Sequence, residues 1–427
     1  MADVEIEEVM VCPLPLRAAP SKRGILFVSI GFLSILFCMQ QMASDATICK
    51  RRSSKFKNKD KNGCHVPLRG KEIPQSERIQ HFRKQCETYN LQTNNITNDA
   101  LSVLHSEKYK LAYRMVPKVG STFMIQVYKI LTDNTSAKRM FKLSRNDIHD
   151  DQVRQMRTIM PLDQLNAYTV LIMARNPYSR LYSAYIDKVY ILNTLHLCKD
   201  ILLKQTFQRI EQKRLCKFDI SFEQFLEYYF ENGGTSEQGH YGPIISHDVG
   251  RKICSLKNIM IVKQETFSED IDHALDAVNM KGVEYDTVHG ILHSKNIEST
   301  IGGIVKTVHA KFVSFIQRNS CLTWKHIARK LWNSFQIQGY ISEKSEFPQT
   351  KFTKLKNSKS SKYLINVIMQ EVKKNTLTHE KKIEQRNKAL LKAYSGVNKK
   401  YLHAIQERYE MDFNMFQYGT DLRDVLN

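Results

Sequence analysis

Acidic side chains are scarce in this chain of 427 residues: 43 Asp and Glu stand against 64 Lys and Arg, a formal net charge of +21. So basic a balance implies an anionic partner without saying which one. No two of the nine cysteines have zinc-like spacing, which argues against a zinc finger or ribbon. The glycine-lysine-serine/threonine order of a Walker A loop is missing. So is an acidic residue at the end of the apolar run Tyr168–Ala174, where a P-loop NTPase would hold Mg²⁺; Arg175 stands there instead. A nucleotide kinase of related fold therefore lacks its obvious metal ligand.

Hydrophobic residues make up 42% of the chain, enough for one large domain with accessory segments. Residues 1–21 are polar and acidic with prolines, and the basic pair Lys22 and Arg23 completes a tail of residues 1–23. The apolar run that follows, residues 24–43, just reaches the roughly 20 residues that span a bilayer. The basic pair before it favours a cytoplasmic N-terminus, although Lys50, Arg51 and Arg52 beyond it pull the other way. A cleaved signal peptide and a buried helix are the alternatives to a signal anchor. Residues 44–105 begin with a Lys-, Arg-, Ser- and Asn-rich stretch without apolar period and read as a stem, leaving 106–427 as the folded domain. Asn95 and Asn134 open N-glycosylation sequons. A type II layout would leave seven cysteines beyond the membrane (Cys49, Cys64, Cys86, Cys198, Cys216, Cys254 and Cys321), an odd number. Cys198 and Cys216 flank one helical segment and could bridge.

The chemistry concentrates in two stretches. In Leu111–Leu131, a short apolar run suited to a buried strand, Leu111–Val116, ends at Pro117. Gly120 permits a tight turn, Ser121 or Thr122 can cap a helix, and Phe123, Val127, Ile130 and Leu131 recur at helical spacing. Strand, tight loop and helix in that order form an anion cradle, with backbone N–H groups at Gly120–Phe123 and the Lys118 ammonium facing the ligand. Alone, this segment reads equally well as an ordinary turn. The second stretch is Ala167–Tyr185. Tyr168–Ala174 suits a central parallel strand covered on both faces, Arg175 follows it directly, and Pro177 pre-sets a helix carrying Arg180 and Ser183. The planar guanidinium of Arg175 suits a phosphate. Two anion sites at the ends of neighbouring strands suit a ligand with phosphates at two separate places.

These residues resemble a known family. Pro117-Lys118-Val119-Gly120-Ser121-Thr122-Phe123 is similar to the 5′-phosphosulfate loop of sulfotransferases. Arg175-Asn176-Pro177-Tyr178-Ser179-Arg180-Leu181-Tyr182-Ser183 is similar to their 3′-phosphate motif. The nearest likeness is to Golgi membrane-bound carbohydrate sulfotransferases, among them the chondroitin and dermatan 4-O-sulfotransferases. It continues through the amphipathic Ser221–Phe230, the Gly239–Pro243 segment, Cys254 with Ile259–Thr266, and Tyr409–Tyr418. Ser221 with Gln224 also reads as a capping box. The segments 301–340 and 363–374 show helical apolar spacing and match no motif; a helical insertion is the simplest reading.

The resemblance implies an α/β fold, a P-loop-like three-layer sandwich around a central parallel sheet. It implies 3′-phosphoadenosine 5′-phosphosulfate (PAPS) as donor, an anionic glycan such as a glycosaminoglycan as acceptor, no metal, and a Golgi lumenal domain on a single-pass type II anchor; the anchor and the sequons argue against a nucleic-acid partner. In sulfuryl transfer the group passes in line to an acceptor hydroxyl, so positioning and charge stabilisation dominate. Lys118 and the loop N–H groups are placed for the leaving oxygen, and Arg175 and Ser183 for the 3′-phosphate. The hydroxyl needs a base. His240 is the first candidate, from a side chain that titrates near neutrality and a family histidine at the matching place; His247, Glu265 and Asp187 are the others. Three departures stand out: Met124 and Tyr241 replace family aromatics on the acceptor side, and Arg251 stands where a second family cysteine precedes Cys254. A catalytically inert, basic glycan-binding membrane protein is the alternative function.

Overall fold

The computed structural model describes residues 73–92, 99–133, 148–149, 151–191, 197–198, 201, 219–231, 238–293, 297–318, 323–353 and 360–423. The expected anchor at 24–43, both sequons and Cys216 lie outside the described residues. Among the described residues no helix is long and apolar enough to cross a membrane.

A five-stranded mixed sheet carries the fold, in the order β3-β1-β2-β4-β5. Its strands are β1 (Ala100–Ser106), β2 (Leu111–Tyr113), β3 (Thr158–Pro161), β4 (Thr169–Ala174) and β5 (Ile259–Lys263). β2, β4 and β5 run parallel, with Tyr113 opposite Leu171 and Ala174 opposite Lys263. β1 pairs antiparallel with both β2 and β3. The expected parallel centre is present, and a reversed pair of strands extends one side of it. β2 is shorter than the apolar run suggested: it covers three residues, all buried, and Arg114–Val116 already belong to the following loop. β4 has neighbours on both sides and five of its six residues buried, as its apolar run requires.

The fold also begins earlier than residue 106. β1 lies inside the sheet, with Leu101, Val103 and Leu104 buried, and helix α1 (Gln75–Thr88) packs against β5. Arg78 of α1 donates to Asp270 at 2.6 Å, and both side chains are buried. Downstream come α2 (Ser121–Asp133), α3 (Pro177–Tyr185), α4 (Phe222–Glu231), α5 (Gln238–Tyr241), α6 (His247–Cys254), α7 (Phe267–Ala277) and α8 (Gly282–Leu292). α2 packs on β1, and α7 on β5. The expected capping box at the start of α4 is formed: Ser221 N–H donates to Gln224 at 2.9 Å and Gln224 N–H to Ser221 at 3.1 Å.

Further on come α9 (Ile297–Arg318), α10 (Trp324–Ile337), α11 (Ser361–Lys374), α12 (His379–Ser395), α13 (Lys399–Arg408) and α14 (Glu410–Met415). The segments read as helical from spacing alone are thus α9, α10 and α11. Their apolar faces do not lie on the sheet. Val305, Leu331, Trp332, Leu364 and Ile368 join Leu181 of α3 and Phe225 of α4 in a second, all-helical core. The first core is the sheet with α1, α2 and α7.

Cys254 does have a disulfide partner, although Arg251 fills the family cysteine position. It bonds Cys86, 168 residues away, and joins α6 to α1. Closing so long a loop removes much entropy from the unfolded chain. Reducing this bond, or substituting Cys86→Ser, should cost about 3–5 kcal/mol and lower the melting temperature measured with and without reductant.

Candidate active site

Parallel pairing of β2 and β4 sends both loops out of the same edge of the sheet. The Lys118 turn leaves β2, and Arg175 ends β4. Their proximity is direct: Arg175 Nη1 donates to the Lys118 carbonyl at 3.3 Å. The turn is built from two residues with left-handed backbone, Lys118 (φ 69°) and Gly120 (φ 96°). A Cβ at Gly120 would stand 2.5 Å from Phe267, so glycine is required by space as well as by φ. α2 starts at Ser121, and Gly120 precedes it, its carbonyl accepting from Met124 N–H at 3.2 Å. Neither Ser121 nor Thr122 is therefore the cap; Thr122 Oγ1 instead meets His149 Nε2 at 3.0 Å. Both hydroxyls stay half-buried at the helix start, where the first-turn N–H groups have no partner within the helix.

The Lys118 ammonium donates to Asp187 at 2.9 Å, and the two side chains are 8% and 6% exposed. Asp187 lies on a π-helical turn, Ile186–Tyr190, that continues α3. Asn176 caps α3, accepting from Tyr178 N–H and Ser179 N–H, with Pro177 in its first turn. Of the second motif, Arg175, Ser179, Tyr182 and Ser183 keep partial exposure, whereas Asn176, Pro177, Tyr178, Arg180 and Leu181 are buried. Tyr178 donates to the Thr420 carbonyl at 2.8 Å and accepts, through its own carbonyl, from Tyr394. In the first motif, Val119, Gly120 and Phe123 are buried, and Pro117, Lys118, Ser121 and Thr122 are half-buried.

Arg180 touches the loops rather than open space. Its Nε donates to the Pro117 carbonyl at 3.2 Å and its Nη1 to the Gly242 carbonyl at 2.5 Å. One buried guanidinium thus joins the Lys118 turn to the segment that carries His240, two residues before Gly242. His240 is half-buried on α5, which packs against α3. Of the other base candidates, Asp187 and Glu265 lie at the two loops and His247 does not. His247 is exposed at the start of α6. Asp187 holds Lys118. Glu265 accepts from Asn176 N–H at 3.0 Å and from the Tyr418 hydroxyl at 2.8 Å.

Two neighbours were missed by sequence reasoning. Lys263 ends β5 as Arg175 ends β4, buried beside Tyr418 with its ammonium 4.5 Å from that ring. Burial lowers its pKa to about 8, against the pull of Glu265. The signal was available: a cation directly after a wholly apolar strand, as at Arg175. Asp412 is the other. It accepts from Ile244 N–H at 2.8 Å and Ile245 N–H at 2.7 Å, fixing the backbone just after Gly242. Nothing local in the sequence announces this, because its partners lie 168 and 167 residues away.

A family model described as the sulfotransferase family matches residues 102–312. Over that stretch, a little under half of its length, the chain is similar to the sulfotransferase family. The matched region holds four strands and most of β1, both cationic loops, Lys263 and His240. Carbohydrate sulfotransferase 10 of Gallus gallus is 23% identical over 267 residues, covering 55% of this chain and 72% of that protein. Carbohydrate sulfotransferase 9 of Homo sapiens is 24% identical over 212 residues, covering 47% of this chain and 46% of that protein. Carbohydrate sulfotransferase 11 of Mus musculus is 22% identical over 198 residues, covering 43% and 55%. No solved structure matches this sulfotransferase. The match and these relatives together make it a sulfotransferase, an enzyme that moves a sulfuryl group from a sulfonate donor.

Burial pushes the Asp412 carboxyl up to about 6, against the opposing pull of Arg180 and the two N–H donors. A carboxyl raised on folding stabilises most below its unfolded pKa of about 4, and that stability is lost as pH rises to about 6. The sulfotransferase should therefore lose about 2–3 kcal/mol of stability across this window. Asp412→Asn should abolish that slope in denaturant melts. It should also lower stability at every pH, since an amide accepts through only one of its two atoms.

Proposed function

We propose that this chain is a carbohydrate sulfotransferase that carries the sulfuryl group of PAPS to a hydroxyl of an anionic glycan. The observation that carries the reading is the adjacency of the Lys118 turn and Arg175 at the ends of two parallel strands, with Arg175 Nη1 3.3 Å from the Lys118 carbonyl. A PAPS molecule presents two phosphate positions on one ribose, and two cationic loops on one sheet edge match it. A P-loop-like three-layer arrangement is the natural reading of this parallel edge and its helix starts.

In this reading the 5′-phosphosulfate lies on the N–H groups of Gly120–Phe123 and beside Lys118. The 3′-phosphate lies on Arg175, Ser179 and Ser183. Asn176, Pro177, Tyr178, Arg180, Leu181 and Tyr182 hold α3 in place, as Val119 holds the turn. Asp187 holds the Lys118 ammonium in place before the donor arrives. As the acceptor oxygen bonds sulfur, the bond from sulfur to the bridging phosphate oxygen breaks. Lys118 and the loop N–H groups stabilise the charge on that oxygen. The acceptor proton passes to the His240 imidazole, and adenosine 3′,5′-bisphosphate leaves. His240 is supported by the Arg180 bridge, which brings its segment against Pro117.

Carbohydrate sulfotransferases 9, 10 and 11 name carbohydrate as their acceptor class. The charge of +21 on this chain favours an acidic glycan, of glycosaminoglycan type or on a glycoprotein. A Golgi membrane site, with residues 24–43 as a type II anchor, 44–105 lumenal and Asn95 and Asn134 glycosylated, completes the proposal. Basic glycan binding without catalysis is not favoured, because it gives no reason for paired donor loops.

Adenosine 3′,5′-bisphosphate should raise the melting temperature of the protein, and Lys118→Ala and Arg175→Ala should each remove most of that rise. Sulfate transfer from labelled PAPS to a panel of desulfated glycans should fall at least about 100-fold in both variants. Unchanged nucleotide stabilisation in either variant would overturn the assignment of these loops.

A further inference from the structure

Away from the donor loops, α7 and α8 bring three metal-type side chains together. His289 and His293 lie one helical turn apart, with His293 N–H donating to the His289 carbonyl at 2.9 Å. That i, i+4 spacing puts both imidazoles on one face. Asp272 of α7 faces them. Its Oδ2 is 2.8 Å from His293 Nε2, and its Oδ1 is 3.9 Å from His289 Nε2. All three donor atoms lie within 4.8 Å of one another. The Asp272 Oδ1 atom is buried and has no hydrogen-bond partner, although the carboxylate it belongs to is partly open. A buried, unsatisfied carboxylate oxygen is costly unless something fills its place.

From this arrangement we infer that Asp272, His289 and His293 form a zinc site. Two imidazole nitrogens and one carboxylate oxygen suit Zn²⁺, and the paired imidazoles disfavour Mg²⁺ and Ca²⁺, which prefer oxygen alone. Ligands about 2.0–2.2 Å from zinc stand roughly 3.5 Å apart, so side-chain rotations of about 1 Å close the site. The ring of Tyr285 stacks on His289, with centroids 5.4 Å apart, and fixes its plane. The exposed carboxylates of Asp276 and Asp286 act on the same Tyr285, so this spot is negative in a strongly basic chain. A partial exposure of 30–44% for the three side chains leaves room for water as a fourth ligand. Zinc here ties α7 to α8, and α8 rests on α2, the helix that begins at the donor turn. Its role is to brace that helix from behind.

The test uses the full chain, stripped with chelator and then dialysed against zinc chloride. One zinc per chain and a rise of several degrees in melting temperature are expected. Asp272→Asn and the double variant His289→Ala/His293→Ala should each lose that zinc and that rise. Their metal-free melting temperatures should stay near that of the parent chain, since all three side chains are partly exposed. If the double variant melts lower without metal, the isosteric Asp272→Asn decides. Zinc bound to either variant as in the parent, or no zinc bound to the parent, would overturn the inference.

Discussion

The parallel register of β2 and β4 is the constraint on which the site depends. With Tyr113 held opposite Leu171, the chain leaves both strands along one edge, Lys118 five residues beyond the end of β2 and Arg175 one beyond the end of β4. A helix start follows each. Had β2 run antiparallel to β4, as it does to β1, the two loops would leave opposite ends of the sheet. β5 adds a third cation, Lys263, in the same row, because it too runs parallel and in register, with Lys263 opposite Ala174. A row of cations at the carboxyl ends of parallel strands is the simplest device this fold has for a doubly phosphorylated ligand.

Around that edge, buried charges serve as ties between segments distant in sequence. Arg180 holds Pro117 and Gly242 together by their carbonyls, and Asp412 holds Ile244 and Ile245 by their N–H groups. Each group is nearly sealed from water, so each tie is strong only while its partners are complete. The C-terminal motif therefore has a physical purpose: Asp412, Tyr409 and Tyr418 reach back to the His240 segment and to Glu265. The all-helical core carries α3 from the other side through Leu181, so the second motif is clamped between two cores.

Much of this was legible because the signals are local. An apolar run broken by Arg175, then Asn176 and Pro177, spells a buried strand and a capped helix in consecutive letters. Pro117 through Phe123 spells a tight turn, although Gly120, and not a hydroxyl, takes the cap position because the backbone there is left-handed. The capping box at Ser221 and the apolar spacing of α9 to α11 are local too. What was not legible is long-range. The reversal of β1 and its pairing with β3 depend on partners that no window of sequence contains. The bond from Cys86 to Cys254 spans 168 residues. Residues 75–105 looked like stem because their neighbours upstream are polar, whereas Leu101, Val103 and Leu104 bury themselves only once the sheet exists. Lys263 was readable and passed over.

A crystal structure with adenosine 3′,5′-bisphosphate tests the central claim most directly. The account predicts the 5′-phosphate on the N–H groups of Gly120–Phe123 with Lys118 beside it, and the 3′-phosphate on Arg175 and Ser183 of the same molecule. A nucleotide seated elsewhere, or touching one loop with the other left in solvent, would contradict it.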